Sequence, residues 1–260
     1  MNNILEKIVA DKRVEVAQRK AVRTIAQLTK ESNFERKTLS LKSSLRQSQS
    51  GIIAEFKRKS PSKGWIHANA DLPSVTAGYS AAGASGISIL TDEKYFGGTP
   101  NDLIAARPQV ACPILRKDFT VDEYQIYEAK AMGADLVLLI AAALSVKETK
   151  AFASKAHELG LEVLLEVHSE EELAHANEFV DMLGVNNRNL KTFTTDVQIS
   201  FDLADKIPAD FVKVSESGIS QPQTVLELRR AGFQGFLMGE NFMKEKNPAQ
   251  ALSNFIGQVK

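Results

Sequence analysis

Four apolar runs of this chain end in charged or amide side chains, and in each the polar groups share parity with the last apolar residues. Successive side chains of a strand point to opposite faces. Ile53, Glu55 and Lys57 therefore share a face, as do Leu115, Lys117 and Phe119, then Leu164, Glu166 and His168, then Gly184, Asn186 and Arg188. If those faces converge, one cleft receives Glu55, Lys57, Lys117, Glu166, Asn186 and Arg188. Carboxylates and cations are costly to bury together unless they meet one another or a ligand. Mixed charge in a cleft is also the arrangement that tunes proton donors and acceptors, so the chemistry indicated is general acid–base catalysis. Glu55 and Lys57 alone could be a plain ion pair plugging the mouth of the fold; the three other run ends weaken that reading.

Two later runs indicate where an anion would bind. Val214-Ser215-Glu216-Ser217-Gly218 and Phe236-Leu237-Met238-Gly239-Glu240 close on small residues, which let backbone N–H groups approach an oxyanion. Ser217, Gly218 and Gly239 are the candidates, with tight turns the alternative use of the glycines. Other chemistries fit less well. His157 and His175 fall inside helical stretches, and His168 with Glu166 or Glu170 lacks a second histidine at metal-ligand spacing. Glu216-Ser217-Gly218 is not the G-x-S-x-G of a serine nucleophile.

Eight apolar, mostly strand-like runs must position these residues: 51–57, 85–90, 112–119, 134–140, 161–167, 180–186, 211–217 and 235–239. Helical stretches separate most of them. One is opened by Asp71 as N-cap, one covers Val121 to Ala131, one runs from Ser145 to Leu159 and stops at Gly160, and one runs from Gln221 to Ala231 and stops at Gly232. Continuous apolar strands alternating with helices predict a parallel sheet covered on both faces. Eight repeats predict an α/β fold of the closed (βα)8 type, the TIM barrel, in which catalytic groups stand at the C-terminal ends of the strands. An open doubly wound sheet is the alternative, but no G-x-G-x-x-G follows the first run. No linker divides the chain, so residues 1–260 read as one domain with 1–47 as a helical extension. In it, Asn3 to Lys30 carries Ile4, Leu5, Ile8 and Val9 at helical spacing, suited either to capping the bottom or side of the barrel or to a lid over its active face.

Composition narrows the class. With 43% hydrophobic residues the chain can bury a large core, and 32 Lys+Arg against 32 Asp+Glu leave no basic excess for a nucleic-acid backbone. The lone Cys112 fits a reducing compartment, the cytoplasm. The longest apolar run, 136–144, is about half the roughly 20 residues that a membrane-spanning helix needs, and charges interrupt the first fifteen positions, so neither a membrane span nor a secretory leader is expected.

The segment Ile52-Ile53-Ala54-Glu55-Phe56-Lys57-Arg58-Lys59-Ser60-Pro61-Ser62-Lys63-Gly64 resembles the signature of the indole-3-glycerol phosphate synthase family. Leu115-Arg116-Lys117-Asp118-Phe119, Leu165-Glu166-Val167-His168, Gly184-Val185-Asn186-Asn187-Arg188-Asn189-Leu190, Ser215-Glu216-Ser217-Gly218-Ile219 and Met238-Gly239-Glu240 are similar to its later motifs, in the same order. The resemblance implies conversion of 1-(2-carboxyphenylamino)-1-deoxyribulose 5-phosphate to indole-3-glycerol phosphate with loss of carbon dioxide and water, with no cofactor, no metal and no obligate protein partner. It implies Lys117 as general acid, Glu166 as general base or proton shuttle, and Glu55 and Asn186 as orienting groups. Lys57 would contact substrate anions, with Ser60 beside it, and Arg188 the anthranilate carboxylate. Ser217, Gly218, Gly239 and the backbone of Glu240 would hold the phosphate, while Pro61, Phe96, Phe119 and Leu190 would wall the ring. Trp65 receives no contact. A lysine acid is expected to need a pKa lowered toward neutrality, which Lys57 would favour and Glu55 and Glu166 would oppose. Two alternatives remain at this level: another phosphosugar enzyme on the same barrel fold, such as an isomerase, and a non-catalytic binder of phosphorylated ligands.

Overall fold

In the computed structural model, which describes residues 4–189, 192 and 194–260, eight parallel strands close into a barrel. They are β1 (Ile52–Phe56), β2 (Gly86–Leu90), β3 (Ile114–Lys117), β4 (Leu136–Ile140), β5 (Glu162–Val167), β6 (Met182–Asn186), β7 (Val212–Glu216) and β8 (Gly235–Met238). Each pairs with the next, and β8 closes on β1 through Ile52 with Phe236 and Ile53 with Leu237. All eight lie within the apolar runs, trimmed by one or two residues where the run enters a turn.

The helices are α1 (Ile4–Val22), α2 (Ile25–Leu28), α3 (Leu41–Gln47), α4 (Leu72–Ala81), α5 (Glu93–Phe96), α6 (Pro100–Ala106), α7 (Tyr124–Met132), α8 (Val146–Glu158), α9 (Gln198–Ala204), α10 (Pro222–Arg230), α11 (Glu240–Met243) and α12 (Pro248–Val259). Local chemistry sets the predicted ends. Asp71 accepts from Ser74 N–H to cap α4, and Ser145 and Glu148 form a capping box on α8. Gly160 and Gly232 follow α8 and α10 in the left-handed conformation.

Strand parity divides the core in two. Ile53, Leu115, Leu138, Leu164, Met182, Val214 and Leu237 fill the barrel interior, whereas Ala54, Phe56, Ile87, Val137, Leu165 and Val185 face the surrounding helices. Leu41 and Leu45 of α3 enter the interior cluster from below. The strands make room for them with glycine: a Cβ on Gly86 would stand 2.6 Å from Leu41 Cδ1, and one on Gly235 would stand 3.0 Å from Leu45 Cδ1.

The N-terminal extension serves both ends of the barrel. The expected single helix from Asn3 to Lys30 is two, because Thr24 forms a capping box with Gln27 and restarts the chain as α2; Asn3 lies outside the described residues. While α3 plugs the bottom, α1 begins at the face where the strands end, with Ile4, Leu5 and Ile8 lining the same cavity as Lys117 and Glu166. It then passes along α7, where Arg19 pairs with Glu128 and Lys20 with Asp122.

The start of α1 is anchored by Lys12, whose ammonium lies 2.9 Å from Asp92 and 3.0 Å from Asp118 with the side chain 1% exposed. Burial alone would raise the Asp118 carboxyl, but Lys12 and Arg116 hold it down at about 2. Removing one member of a buried pair leaves the other charge unpaired, so Lys12→Met is expected to cost about 3 kcal/mol. Lys20→Met, which removes an exposed pair with Asp122, should cost less than about 1 kcal/mol. Urea unfolding of the two variants checks this, and equal midpoints would contradict it.

Candidate active site

The C-terminal ends of the strands converge as their parity requires. One cavity is lined by Glu55 and Lys57 from β1 and its exit, Lys117 and Phe119 from β3 and its exit, Glu166 from β5, and Asn186 and Arg188 from β6 and its exit. Ser60 and Pro61 after β1, Phe96 at the end of α5, Ser217 and Gly218 after β7, and Gly239 and Glu240 after β8 complete the rim. Every predicted site residue is gathered here except Leu190, which lies outside the described residues.

Lys117 is the hub. Its Nζ donates to Glu166 Oε2 and to Glu216 Oε2, both at 2.9 Å, so two carboxylates from different strands share one ammonium. Beside them Lys57 Nζ donates to Glu55 Oε1 at 2.5 Å. Asn186 accepts the Arg188 backbone N–H at 3.0 Å, and Arg188 Nη1 donates to Ser62 Oγ at 2.9 Å in the loop after β1. The Arg188 Nε is buried without a hydrogen-bond partner among the described residues. Phe96 and Phe119 meet with ring centroids 6.1 Å apart, giving the charged floor an apolar side.

The loop after β1 crosses the rim through a two-stranded ribbon, Lys59–Ser60 against Gly64–Trp65. Arg58 ties its base to Asp102 in a bidentate pair at 2.8 and 3.0 Å. Trp65, unassigned by sequence, is 60% exposed and packs over Gly97 with the Lys59 ammonium 5.6 Å from its ring centroid. Glu240 has its carboxylate 3.9 Å from the Lys63 ammonium.

The model of the indole-3-glycerol phosphate synthase family matches residues 5–255. The chain belongs to that family. Among curated relatives, the indole-3-glycerol phosphate synthase of Bacteroides thetaiotaomicron is 56% identical over the full length of both chains. That of Laribacter hongkongensis is 43% identical, covering 98% of this chain and 99% of its own. The family is a ring-closing, decarboxylating lyase of tryptophan biosynthesis. A mutant tryptophan synthase α-subunit from Pyrococcus furiosus shares the fold, with a TM-score of 0.58 at 16% identity, covering 81% of this chain and 97% of that one.

In this site the balance at Lys117 that the sequence left open falls to the carboxylates. Burial would lower its pKa, but Glu166, Glu216 and Glu55 outweigh burial and hold it well above the usual lysine range. Lys57 does not counter this, because it is paired with Glu55. The two carboxylates on Lys117 are driven apart. Burial acts upward on both, yet Lys117 and His168 together hold Glu166 far below the usual range, whereas burial and repulsion from Glu166 and Glu55 push Glu216 up.

Glu216 is the functional-site residue that the sequence reading missed. Its strand was read for the small residues at its exit, yet the parity rule applied to the other strands puts Val212, Val214 and Glu216 inward together. Gly184 makes its position possible, since a Cβ there would stand 2.4 Å from Glu216 Oε1. Ile4, Leu5 and Ile8 of α1, whose helix the sequence left between the bottom or side of the barrel and its active face, line this cavity. His168, which shares the strand face of Glu166, folds its ring back until Nε2 lies 3.4 Å from Glu166 Oε1.

Proposed function

We propose that this cavity converts 1-(2-carboxyphenylamino)-1-deoxy-D-ribulose 5-phosphate to indole-3-glycerol phosphate, carbon dioxide and water. The observation that carries this reading is the Lys117 ammonium held between Glu166 and Glu216, beside an apolar wall and facing small-residue turns. The phosphate rests on the backbone of Ser217, Gly218, Gly239 and Glu240, with Lys57 able to leave Glu55 for it. Ser217 and Gly218, with φ of 67° and 76°, line the cavity, and small residues in left-handed backbone suit the close approach of an oxyanion to N–H groups. The aromatic ring lies against Pro61, Phe96 and Phe119, and its carboxylate takes the unpartnered Nε of Arg188.

In the first step the ring carbon bearing the carboxylate attacks the ketone carbon. The carbonyl electron pair moves to oxygen, which takes a proton from Lys117. A raised pKa suits this, because the lysine arrives charged and the alkoxide forming in front of it is more basic still. Loss of carbon dioxide returns the C–C bonding pair to the ring and restores aromaticity. The new hydroxyl then leaves as water, pushed by the ring nitrogen, on taking a proton that solvent returns through Lys117, and Glu166 accepts the carbon-bound proton whose loss completes the indole. Glu55 and Asn186 orient the intermediate's hydroxyl. Residues 1–260 work as one domain, with 1–47 closing the barrel below through α3 and walling the site above through α1.

The test is direct: purified protein given this substrate, without added metal or nucleotide, should produce indole fluorescence, and silence would overturn the reading.

Gly239 is expected to matter for catalysis as well as binding. A Cβ there would stand 2.8 Å from Glu55 Oε1 and 2.9 Å from Glu55 Cβ, so a side chain displaces Glu55 while it obstructs the anion. Gly239→Val should therefore raise KM and lower kcat, each by about tenfold or more, as ångström-scale misplacement does. Inorganic phosphate should compete with substrate in the unaltered enzyme. A change confined to KM would show that Glu55 moves aside freely.

A further inference from the structure

Glu166 is held at both oxygens. Oε2 accepts from Lys117 at 2.9 Å, and Oε1 faces His168 Nε2 at 3.4 Å, an ion-pair contact. The imidazole is fixed from behind by Glu172, on the 3-10 turn Glu171–His175. Its Oε2 accepts the His168 backbone N–H at 2.7 Å and lies 3.2 Å from Nδ1. Glu216 from β7 bears the wrong sign to support Glu166, and of the cations lining the same cavity Lys57 is paired with Glu55 and Arg188 is bonded to Ser62. The register neighbours of Glu166 on β4 and β6, Ile140 and Gly184, carry no charge.

This matters at one moment of the reaction. When Lys117 gives its proton away, Glu166 loses the cation on Oε2 while still 3% exposed, and a buried carboxylate without a partner reclaims a proton or swings away. We propose that His168, braced by Glu172, is a positioning residue that supplies the second charge on Glu166 and holds its carboxylate in place while Lys117 is neutral. This rests on the reading of Glu166 as proton acceptor. Burial would lower the imidazole's pKa, but the two carboxylates outweigh burial and push it up to about 10, so His168 stays charged through the working range.

The experiment combines kcat against pH with nuclear magnetic resonance titration of the His168 ring in the full-length enzyme. Removing the Glu172 charge with Glu172→Gln should lower the His168 midpoint by about one unit, the scale of one close opposite charge. The alkaline limb of kcat should follow to lower pH by the same amount. His168→Asn should reduce kcat about fivefold near neutral pH, leave KM within twofold, and remove that limb. A midpoint that Glu172→Gln leaves unmoved, a midpoint that moves while the kcat limb does not, or full turnover in His168→Asn would each overturn the proposal. Glu166→Gln separates the two readings: a lowered His168 midpoint confirms the coupling whatever its turnover, whereas retained turnover would reject Glu166 as the proton acceptor.

Discussion

Lys117→Met should cut turnover at saturating substrate by at least about a hundredfold and leave KM within a few-fold, because a general acid contributes to the transition state and little to the bound ground state. The substitution keeps the length and apolar stem of lysine and removes only the ammonium. It also strips the shared cation from Glu166 and Glu216, which are 3% and 2% exposed, so stability should fall unless one of them takes up a proton. Circular dichroism and unfolding must therefore accompany the kinetics. Lys117→Arg separates the two roles. Arginine keeps the positive charge that the carboxylates need but does not surrender a proton, so this variant should recover the lost stability while staying at least about a hundredfold slow. If Lys117→Met kept more than half of wild-type turnover under conditions where chemistry limits the rate, Lys117 could not be the acid.

The barrel and most of its mouth were legible because two simple periodicities carry them. Strand alternation sends every second residue of an apolar run inward, and a parallel barrel stops its strands at one face. Glu55, Lys117, Glu166 and Asn186 therefore follow from parity alone once eight runs are recognised. Glu216 obeys the same rule but was masked by Ser217 and Gly218 after it, whose turn chemistry gave a stronger local signal. What parity leaves out is where a side chain goes after leaving its strand. The room that Gly184 leaves for Glu216, the packing of Gly239 on Glu55, and the turn of His168 back toward Glu166 depend on neighbours brought together from distant positions. The extension shows the same limit, since the apolar faces of α1 and α3 do not say which end of the barrel each will meet.

Glu166→Gln should lower kcat by at least about a hundredfold, whereas Glu216→Gln should lower it by less than about tenfold, although both carboxylates sit 2.9 Å from the same ammonium. Geometry treats the two as equals, and charge does not. Burial acts upward on both, but Glu166 has Lys117 on one oxygen and His168 on the other, which together hold it ionised and able to accept a proton. Glu216 shares Lys117 but faces Glu166 and Glu55, so burial and repulsion drive it toward its neutral form. A neutral amide imitates that form, including its hydrogen-bonding carbonyl oxygen. At position 166 the same amide replaces an ionised carboxylate with a group that cannot take a proton. His168→Asn, removing only the support on Oε1, should lower kcat about fivefold, less than the loss in Glu166→Gln. The three variants are to be compared at saturating substrate and constant pH, with folding verified in each. A larger loss in Glu216→Gln than in Glu166→Gln would move the proton acceptor to β7, and a larger loss in His168→Asn than in Glu166→Gln would move it to the imidazole.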